Sequence, residues 1–431
     1  MQQMYRTSRR HQPSKGDTLV GSPEQAHKII ADLDCKLQGK LSKQNRATYL
    51  AGRATLYEAL GDPKMLEAAQ EAYRFSKTAN TAALVAVALH HFGRLKESME
   101  WYERAWKYPH EPGFEIDIGY SGALLFQGKW QKAWPIVTNL KKRMVYAAYL
   151  PFWDGKPCKQ VSVLSEGGFG DLLHNSRYLP MISNMGIDVT VYLPPFFFDH
   201  GFVDMAARQP WFPKMKLLTE TPANVPAAGF FDLPALFNTN LQTIPNYPAP
   251  WQVDSSRLAK YNYLRTGNRP QIGFCWAARA METPLCPDGV YRALTQEQAQ
   301  SIVNKVDNVD WVSLQVPDDV KITHLHRPYI GSWEDTAAII ANLDLVVTVD
   351  TAVMHLAAIM GKPTWAILSG AVDWKFGLSG DCPWYPTIRT FRNEAFGFEN
   401  AVRKVTEALQ DFNVEFNNQV ISSSSQCQIA S

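Results

Sequence analysis

The sequence predicts an all-α helical-repeat segment followed by an α/β body in which two Rossmann-like domains face each other across a cleft. Three observations carry this prediction. Between Ala47 and Met144 a glycine-centred signature returns at Gly61, Gly93 and Gly128, after intervals of 32 and 35 residues. After Lys156 the helical period gives way to short apolar runs separated by helical stretches, the alternation that builds parallel sheets. A loop-rich stretch, NTNLQTIPNYPAPWQ, followed by YLRTGNRP, then divides those strands into two groups.

The clearest copy of the repeat is HFGRLKESMEWYERAWKYP, in which Gly93 closes one helix and Tyr102 and Ala105 share a face of the next. FQGKWQKAWPIVTNL repeats it around Gly128, and ALGDPKMLEAAQEAYRF around Gly61. A period near 34 means helix-turn-helix units. The pattern resembles the tetratricopeptide repeat, whose units cannot bury their apolar faces alone and so stack into a short curved array. The expected array covers residues 45–150, after a leader and first helix in 1–44 that are partly disordered. Such an array either binds a partner or buttresses the domain that follows.

Strands are expected at Gln160–Leu164, Asp188–Leu193 and Gly229–Leu233 in a first domain, 156–266. A second group, Gln271–Trp276, Trp311–Leu314, Leu343–Val349 and Thr364–Leu368, falls in a second domain, 267–395. A helix is expected over 396–412 and a disordered serine-rich tail over 413–431. Hydrophobic residues make up 46% and charged residues 19% of the 431, which argues against wholesale disorder. No long uncharged apolar run is present, and the basic N-terminus lacks a signal-peptide core, so a cytoplasmic protein is expected. Cys35, Cys158, Cys275, Cys286, Cys382 and Cys427 are scattered, with no CxxC pair and no zinc-type spacing; reduced thiols and no metal are expected.

Net charge is +2, but residues 1–150 hold 22 Lys and Arg against 14 Asp and Glu, and the remainder 21 against 27. A basic front half admits a polyanionic partner, such as nucleic acid or an anionic glycan. A solvated helical surface explains the asymmetry equally well.

The chemistry concentrates in two stretches. In VSVLSEGGFGDLLHNSRYLP, Gly167, Gly168 and Gly170 allow close backbone approach at the carboxyl end of the first strand, where open α/β sheets place their ligands. A dinucleotide fingerprint is excluded, because Leu173 stands at the third glycine position and no acid follows the second strand. Asp171 at the helix start either caps that helix or faces the cleft as a base for an acceptor hydroxyl. In DTAAIIANLDLVVTVDTAVMHLAAIMGKPTWAIL, a buried strand ends at Asp350-Thr351 and a helix begins at once. Its free N–H groups suit an anion, and His355 lies one turn beyond Thr351 on the same face.

Together with GFCWAA, VSLQ and VDWKFGLSGDCPWYPTIRTFRN, these stretches resemble the ordered motifs of glycosyltransferase family 9, the heptosyltransferase-like group, in particular members preceded by tetratricopeptide repeats. The resemblance runs from Val161 to Asn393. It implies a GT-B fold, an inverting and metal-independent transfer from a nucleotide sugar with no further cofactor, and a C-terminal helix within Glu399–Leu409 crossing back onto the first domain. The family's Gly-x-Gly-Asp turn falls on Gly168, Phe169, Gly170 and Asp171, which makes Asp171 the implied general base, with His174 beside the acceptor loop. Its donor motif falls on Asp350, Thr351 and His355. Ala352 stands where some heptosyltransferases have glycine, so contact with the phosphate there is expected to be looser or the donor different.

Trp276 and Arg279, after GFC, together with Gln315, Asp373 and Trp374, complete the expected donor site. Arg279 would supply positive charge to a diphosphate and Gln315 would touch the base, though a surface arginine and a loop-satisfying amide are the plainer roles. Trp374, Trp384 and Tyr385 either stack on the ligand or wedge domains together. The adjacent acids Asp318 and Asp319 are expected to be solvated. The acceptor is expected to be a hydroxyl of a large molecule, either a hydroxymethylated base of phage DNA or a lipopolysaccharide or protein acceptor. The alternative is a non-catalytic tetratricopeptide scaffold with a degenerate sugar-nucleotide domain.

Overall fold

A computed structural model describes residues 22–110, 114–144, 150–265, 269–278, 291–318 and 320–413. Among the described residues seven helices come first: α1 (Pro23–Leu37), α2 (Lys43–Leu60), α3 (Met65–Phe75), α4 (Ala79–His91), α5 (Leu95–Lys107), α6 (Phe114–Phe126) and α7 (Trp130–Met144). Helix α1 starts where the Ser22 hydroxyl accepts the Gln25 N–H, with Pro23 just inside.

The three repeat glycines end α2, α4 and α6 in the same way. Gly61, Gly93 and Gly128 have φ of 68°, 69° and 71°, a left-handed backbone that only glycine adopts without cost. In each case the N–H of the next residue reaches back to a carbonyl in the last turn: Asp62 to Tyr57, Arg94 to Leu89, and Lys129 to Leu124. The turns therefore fold α2 onto α3, α4 onto α5 and α6 onto α7. Small residues on α4, among them Ala82, Ala83, Ala86 and Ala88, are buried and let its neighbours approach closely.

Two parallel sheets follow. The first orders its strands β3-β2-β1-β4, from β1 (Gln160–Leu164), β2 (Asp188–Leu193), β3 (Lys214–Leu217) and β4 (Ala227–Gly229). Between and after them run α8 (Phe169–Asn175), α9 (Leu179–Asn184), α10 (Phe202–Ala207), α11 (Leu233–Leu236) and α12 (Ser255–Lys260). The second sheet orders β6-β5-β7-β8-β9, from β5 (Gln271–Cys275), β6 (Asp310–Ser313), β7 (Leu345–Val349), β8 (Thr364–Leu368) and β9 (Ile388–Arg392). Helices α13 (Gln296–Asn304), α14 (Trp333–Ala341) and α15 (Ala352–Ile359) connect its strands. In each sheet the chain winds outward one way and then returns to the other side of its first strand. The two reversals, between β1 and β4 and between β5 and β7, are the crevices where such sheets hold ligands.

Three expectations need correction. The strand expected at Gly229–Leu233 is Ala227–Gly229; Asp232 accepts the Gly229 N–H at 2.7 Å and curls the chain into a 3-10 turn ahead of α11. Strands β3 and β9 were not expected, because both are short edge strands with charged residues among the apolar ones. The last helix, α16 over 399–413, stays on the second sheet instead of crossing to the first domain. Its Ala401, Val405 and Leu409 share a core with Ile302, Val303 and Val306, and Gln410 donates to the Lys305 carbonyl. The expected leader and tail lie outside the described residues.

Candidate active site

The two motifs meet directly. Helix α8 packs against α15, and the contact is closest at Gly170, where a Cβ atom would lie 3.0 Å from His355 Cδ2 and 3.4 Å from Ala352 Cα. Any larger residue would wedge the turn off the helix. Gly168 serves as N-cap of α8, and its N–H donates to Asp171 Oδ2 at 3.0 Å. Asp171 thus caps its own helix while remaining partly open to solvent. Burial pushes its carboxyl above the ordinary range, against the pull of Lys375 and the Gly168 N–H.

On the facing side, Thr351 caps α15 by accepting the Met354 N–H at 3.3 Å, and its hydroxyl also meets that of Thr348 at 3.0 Å. Asp350 sits at the end of β7 between two cations. Lys375 Nζ lies 3.3 Å and an Arg292 guanidinium nitrogen 3.8 Å from Asp350 Oδ2. Burial opposes the charge of Asp350, but these cations outweigh it and hold the carboxyl well below the carboxylate range. Among the described residues Asp350 Oδ1 is buried without a hydrogen-bond partner, with His355 Nε2 4.0 Å away. A buried acceptor left open beside two cations and a helix N-terminus is where a polar ligand gains most.

Lys375 is the charge that ties the site together. Burial works against its ammonium, yet Asp350 and Asp373 raise it, and Asp171 adds to the effect, so it remains charged. Asp373 caps the short turn Trp374–Phe376 by accepting the Lys375 N–H at 3.0 Å. His355 is 3% exposed, and burial together with the Lys375 charge pushes it down to about 3, so the ring is neutral. His174 is buried as well and is held well below its ordinary value by burial and by Arg177. Both rings contact one hydroxyl: His355 Nδ1 lies 2.8 Å and His174 Nδ1 3.1 Å from Tyr385 Oη.

Arg177 lies behind this group, stacked over Tyr247, Trp384 and Tyr385 and donating to the Trp384 carbonyl at 2.9 Å. The helical array forms the next layer. Trp130 stacks on Trp384 and meets Trp374 edge-on, and Trp134 also packs edge-on against Trp374. His90 donates from Nε2 to the Val372 carbonyl at 2.7 Å, because a carbonyl oxygen only accepts, and burial pushes its ring down to about 4.

The structure thus gathers Gly168, Gly170, Asp171, His174, Asp350, Thr351, Ala352, His355 and Asp373. It does not bring Trp276 there: the ring is 1% exposed and packs on Phe274 in the core of the second sheet. Trp374 is engaged by the tryptophans of the array. Gln315 serves its own loop, its amide oxygen accepting the Ala277 N–H at 3.0 Å. Asp318 is not merely solvated; it pairs with Arg327 and accepts from Ser313. Arg279 and Asp319 lie outside the described residues. Sequence reasoning missed Lys375, Arg292, Arg177 and Tyr247. Lys375 alone carried a signal, lying one residue beyond Trp374 in the VDWKFG motif.

Two parallel sheets, one with an acid-bearing glycine turn at its reversal and the other with a cation-flanked helix N-terminus, give the two-domain arrangement expected of a GT-B fold. Residues 332–405, which contain the Asp350 to His355 segment and Lys375, match the model of glycosyltransferase family 9 (heptosyltransferase). The family resemblance of the sequence is therefore shown over that stretch. Protein FlbA of Caulobacter vibrioides is 25% identical over 304 residues, which are 60% of this chain and 48% of that protein; the chain spans about half the length of this curated relative. Among solved structures, the E. coli ADP-heptose lipopolysaccharide heptosyltransferase II is 14% identical, covering 59% of this chain and 99% of its own, with a TM-score of 0.41. A family 9 glycosyltransferase from Veillonella parvula is 11% identical, at 63% and 98% coverage and a TM-score of 0.40. The iron-containing dodecameric glycosyltransferase TibC of enterotoxigenic E. coli is 8% identical, at 63% and 78% coverage and a TM-score of 0.35. Among the described residues no helix is long and apolar enough to cross a membrane, and no group of three or more His, Cys, Asp and Glu is placed to hold a metal.

Proposed function

We propose that the protein transfers a sugar, with inversion, from a nucleoside diphosphate sugar to a hydroxyl of a large acceptor. The observation that carries this reading is the contact of Gly170 with Ala352 and His355, which sets a carboxylate whose proton affinity is raised across from a cationic helix N-terminus. In this reading the diphosphate lies at the start of α15, against the free N–H groups, with Lys375 and Arg292 supplying positive charge as the leaving group departs. Asp350 Oδ1 accepts from a donor hydroxyl. Asp171 takes the proton of the acceptor hydroxyl as that oxygen attacks the anomeric carbon from the opposite face, and the nucleoside diphosphate leaves. Two fixed cations give the departing diphosphate its counter-charge, so we infer that the transfer runs without a metal ion.

The acceptor is either DNA bearing a hydroxylated base or an anionic glycan or protein, reached over the basic front half. The Lys141-Lys142-Arg143 side chains of that half lie outside the described residues. The test is nucleotide release, followed by mass spectrometry, from a panel of UDP-, GDP-, ADP- and CMP-sugars with each acceptor, with and without chelator. Acceptor-stimulated release that persists in chelator is expected. Loss of release in chelator would reject the metal-free step, and binding of no donor would favour the scaffold reading.

A further inference from the structure

Tyr385 stands between two neutral histidines, and the hydrogen count there is constrained. Its hydroxyl has one proton to give and lone pairs to accept with, and its proton affinity is raised well above the ordinary value by burial, so it stays protonated. The Nδ1 atoms of His355 and His174 both lie within hydrogen-bond distance of that oxygen, at 2.8 and 3.1 Å. A neutral imidazole carries one N–H. The single hydroxyl proton cannot serve two bare Nδ1 atoms, so for both contacts to be hydrogen bonds at least one ring must present an Nδ1–H to the oxygen. The two histidines therefore cannot both be Nε2–H tautomers.

The surroundings choose which is which. His355 Nε2 faces the Asp350 carboxylate at 4.0 Å, and a carboxylate favours an N–H pointing at it. His355 is then Nε2–H with a bare Nδ1, and His174 is Nδ1–H. The bridging oxygen is itself held rigidly. Arg177 lies over the Tyr385 ring at 4.6 Å, and the Tyr247 ring stacks beside it at 6.4 Å. Tyr247 gives its proton to the Leu173 carbonyl at 2.7 Å, so toward Tyr385 it is an acceptor only, and the Tyr385 O–H has His355 Nδ1 within hydrogen-bond distance at 2.8 Å.

We propose that Tyr385 is a positioning residue: relayed from His174, its hydroxyl fixes His355 as the Nε2–H tautomer and so keeps a hydrogen-bond donor aimed into the space between His355 and Asp350. This rests on the reading of that space as the sugar-diphosphate site. There an Nε2–H donates to an anionic or hydroxyl oxygen, whereas the other tautomer would present a lone pair and repel it. The residue touches neither substrate nor reacting atom; it acts through His355.

The test is nitrogen-15 NMR of histidine-labelled full-length protein, with His174 and His355 assigned from single variants. His355 is expected as Nε2–H with a hydrogen-bonded bare Nδ1, and His174 as Nδ1–H. In Tyr385→Phe, which keeps the ring, the His355 Nδ1 signal should move to that of a nitrogen without a hydrogen bond, and His174 should lose its fixed Nδ1–H. In His174→Asn, whose amide places an N–H where Nδ1–H stood, the His355 signals should stay at their wild-type positions. An Nδ1–H on His355 in the wild type, or His355 signals unmoved in Tyr385→Phe, would overturn the proposal. Turnover separates it from the reading it rests on. Tyr385→Phe should lower kcat by roughly tenfold with the KM for donor little changed, a loss of the order of one hydrogen bond. If the wild type releases no nucleotide, the transferase reading fails, whatever the spectra say about the tautomers.

Discussion

Trp130 of the helical array lies stacked on Trp384 of the body, ring centroids 5.5 Å apart and planes 13° from parallel. Trp384 in turn touches the His174 ring at 4.7 Å. Only one residue therefore separates the array from the histidine pair. Trp130 is 3% exposed, so Trp130→Ala should cost about 3–5 kcal/mol, as for other buried aromatic truncations, read as a lower Tm. It should also lower turnover at temperatures where the variant is still folded. Full turnover in a folded Trp130→Ala protein would show that the array supports the fold without shaping the site.

Asp171→Asn keeps an acceptor oxygen for the Gly168 N–H but removes the base. Transfer should fall by about 10²–10⁴, the usual contribution of a general base, while donor binding persists. The wild-type pH profile should carry the same signature. Because burial raises the Asp171 carboxyl, the base is protonated sooner as pH falls, and the acid limb of kcat/KM should lie above the ordinary aspartate value of about 3.9. Stability is not the source of this limb, which should vanish in the residual activity of Asp171→Asn. A limb that survives there belongs to another group.

Lys375→Met removes a cation while leaving a stem of similar length. Affinity for a nucleoside diphosphate, measured by calorimetry, should fall by roughly tenfold or more, the scale of one buried charge-assisted contact. Asp350 loses its nearest cation in the same variant and its carboxyl rises. Lys375→Arg should recover most of the affinity. Unchanged affinity in Lys375→Met would remove the lysine from the donor site.

Gly170→Ala adds one methyl group at a contact already filled by His355 and Ala352. Overpacking of this kind costs about 1–3 kcal/mol. The shift that relieves it separates the glycine turn from α15, so kcat should drop more than the small loss of stability explains. Gly168→Ala is the control, since a methyl group there meets nothing within 4 Å.

The elements legible in the sequence are those whose cause is local. The repeat turns at Gly61, Gly93 and Gly128 were readable because a left-handed residue after a helix demands glycine. Asp350, Thr351 and His355 were readable because a strand end and a helix start fall side by side in the chain. Lys375 and Arg292 reach Asp350 from 25 and 58 residues away, through a loop turn and a crossover, and no spacing rule encodes that. Trp276 stands at the end of the strand expected over Gln271–Trp276, where the sequence does not say which way its ring turns. Strand β5 is buried on both faces, so alternation does not tell which way the next side chain turns, and the ring points into the core. The return of the last helix came from family resemblance alone, and the apolar face of α16 already has a partner in α13.

The turn at Gly93 also meets the body. A Cβ on Gly93 would come within 3.1 to 3.3 Å of the backbone at Asn393, Glu394 and Ala395, and one on Gly370 within 2.8 Å of Gly93 N and His91 O. Here main chain lies against main chain, with no side chain between to adjust. Repeat arrays are usually modular, gaining or losing units with little consequence beyond the ends. This one is fastened at its middle turn and again at Trp130. An extra unit grafted between those points would carry Trp130 away from Trp384, while a unit grafted ahead of α2 meets neither fastening. The array is therefore fixed in length between Gly93 and Trp130.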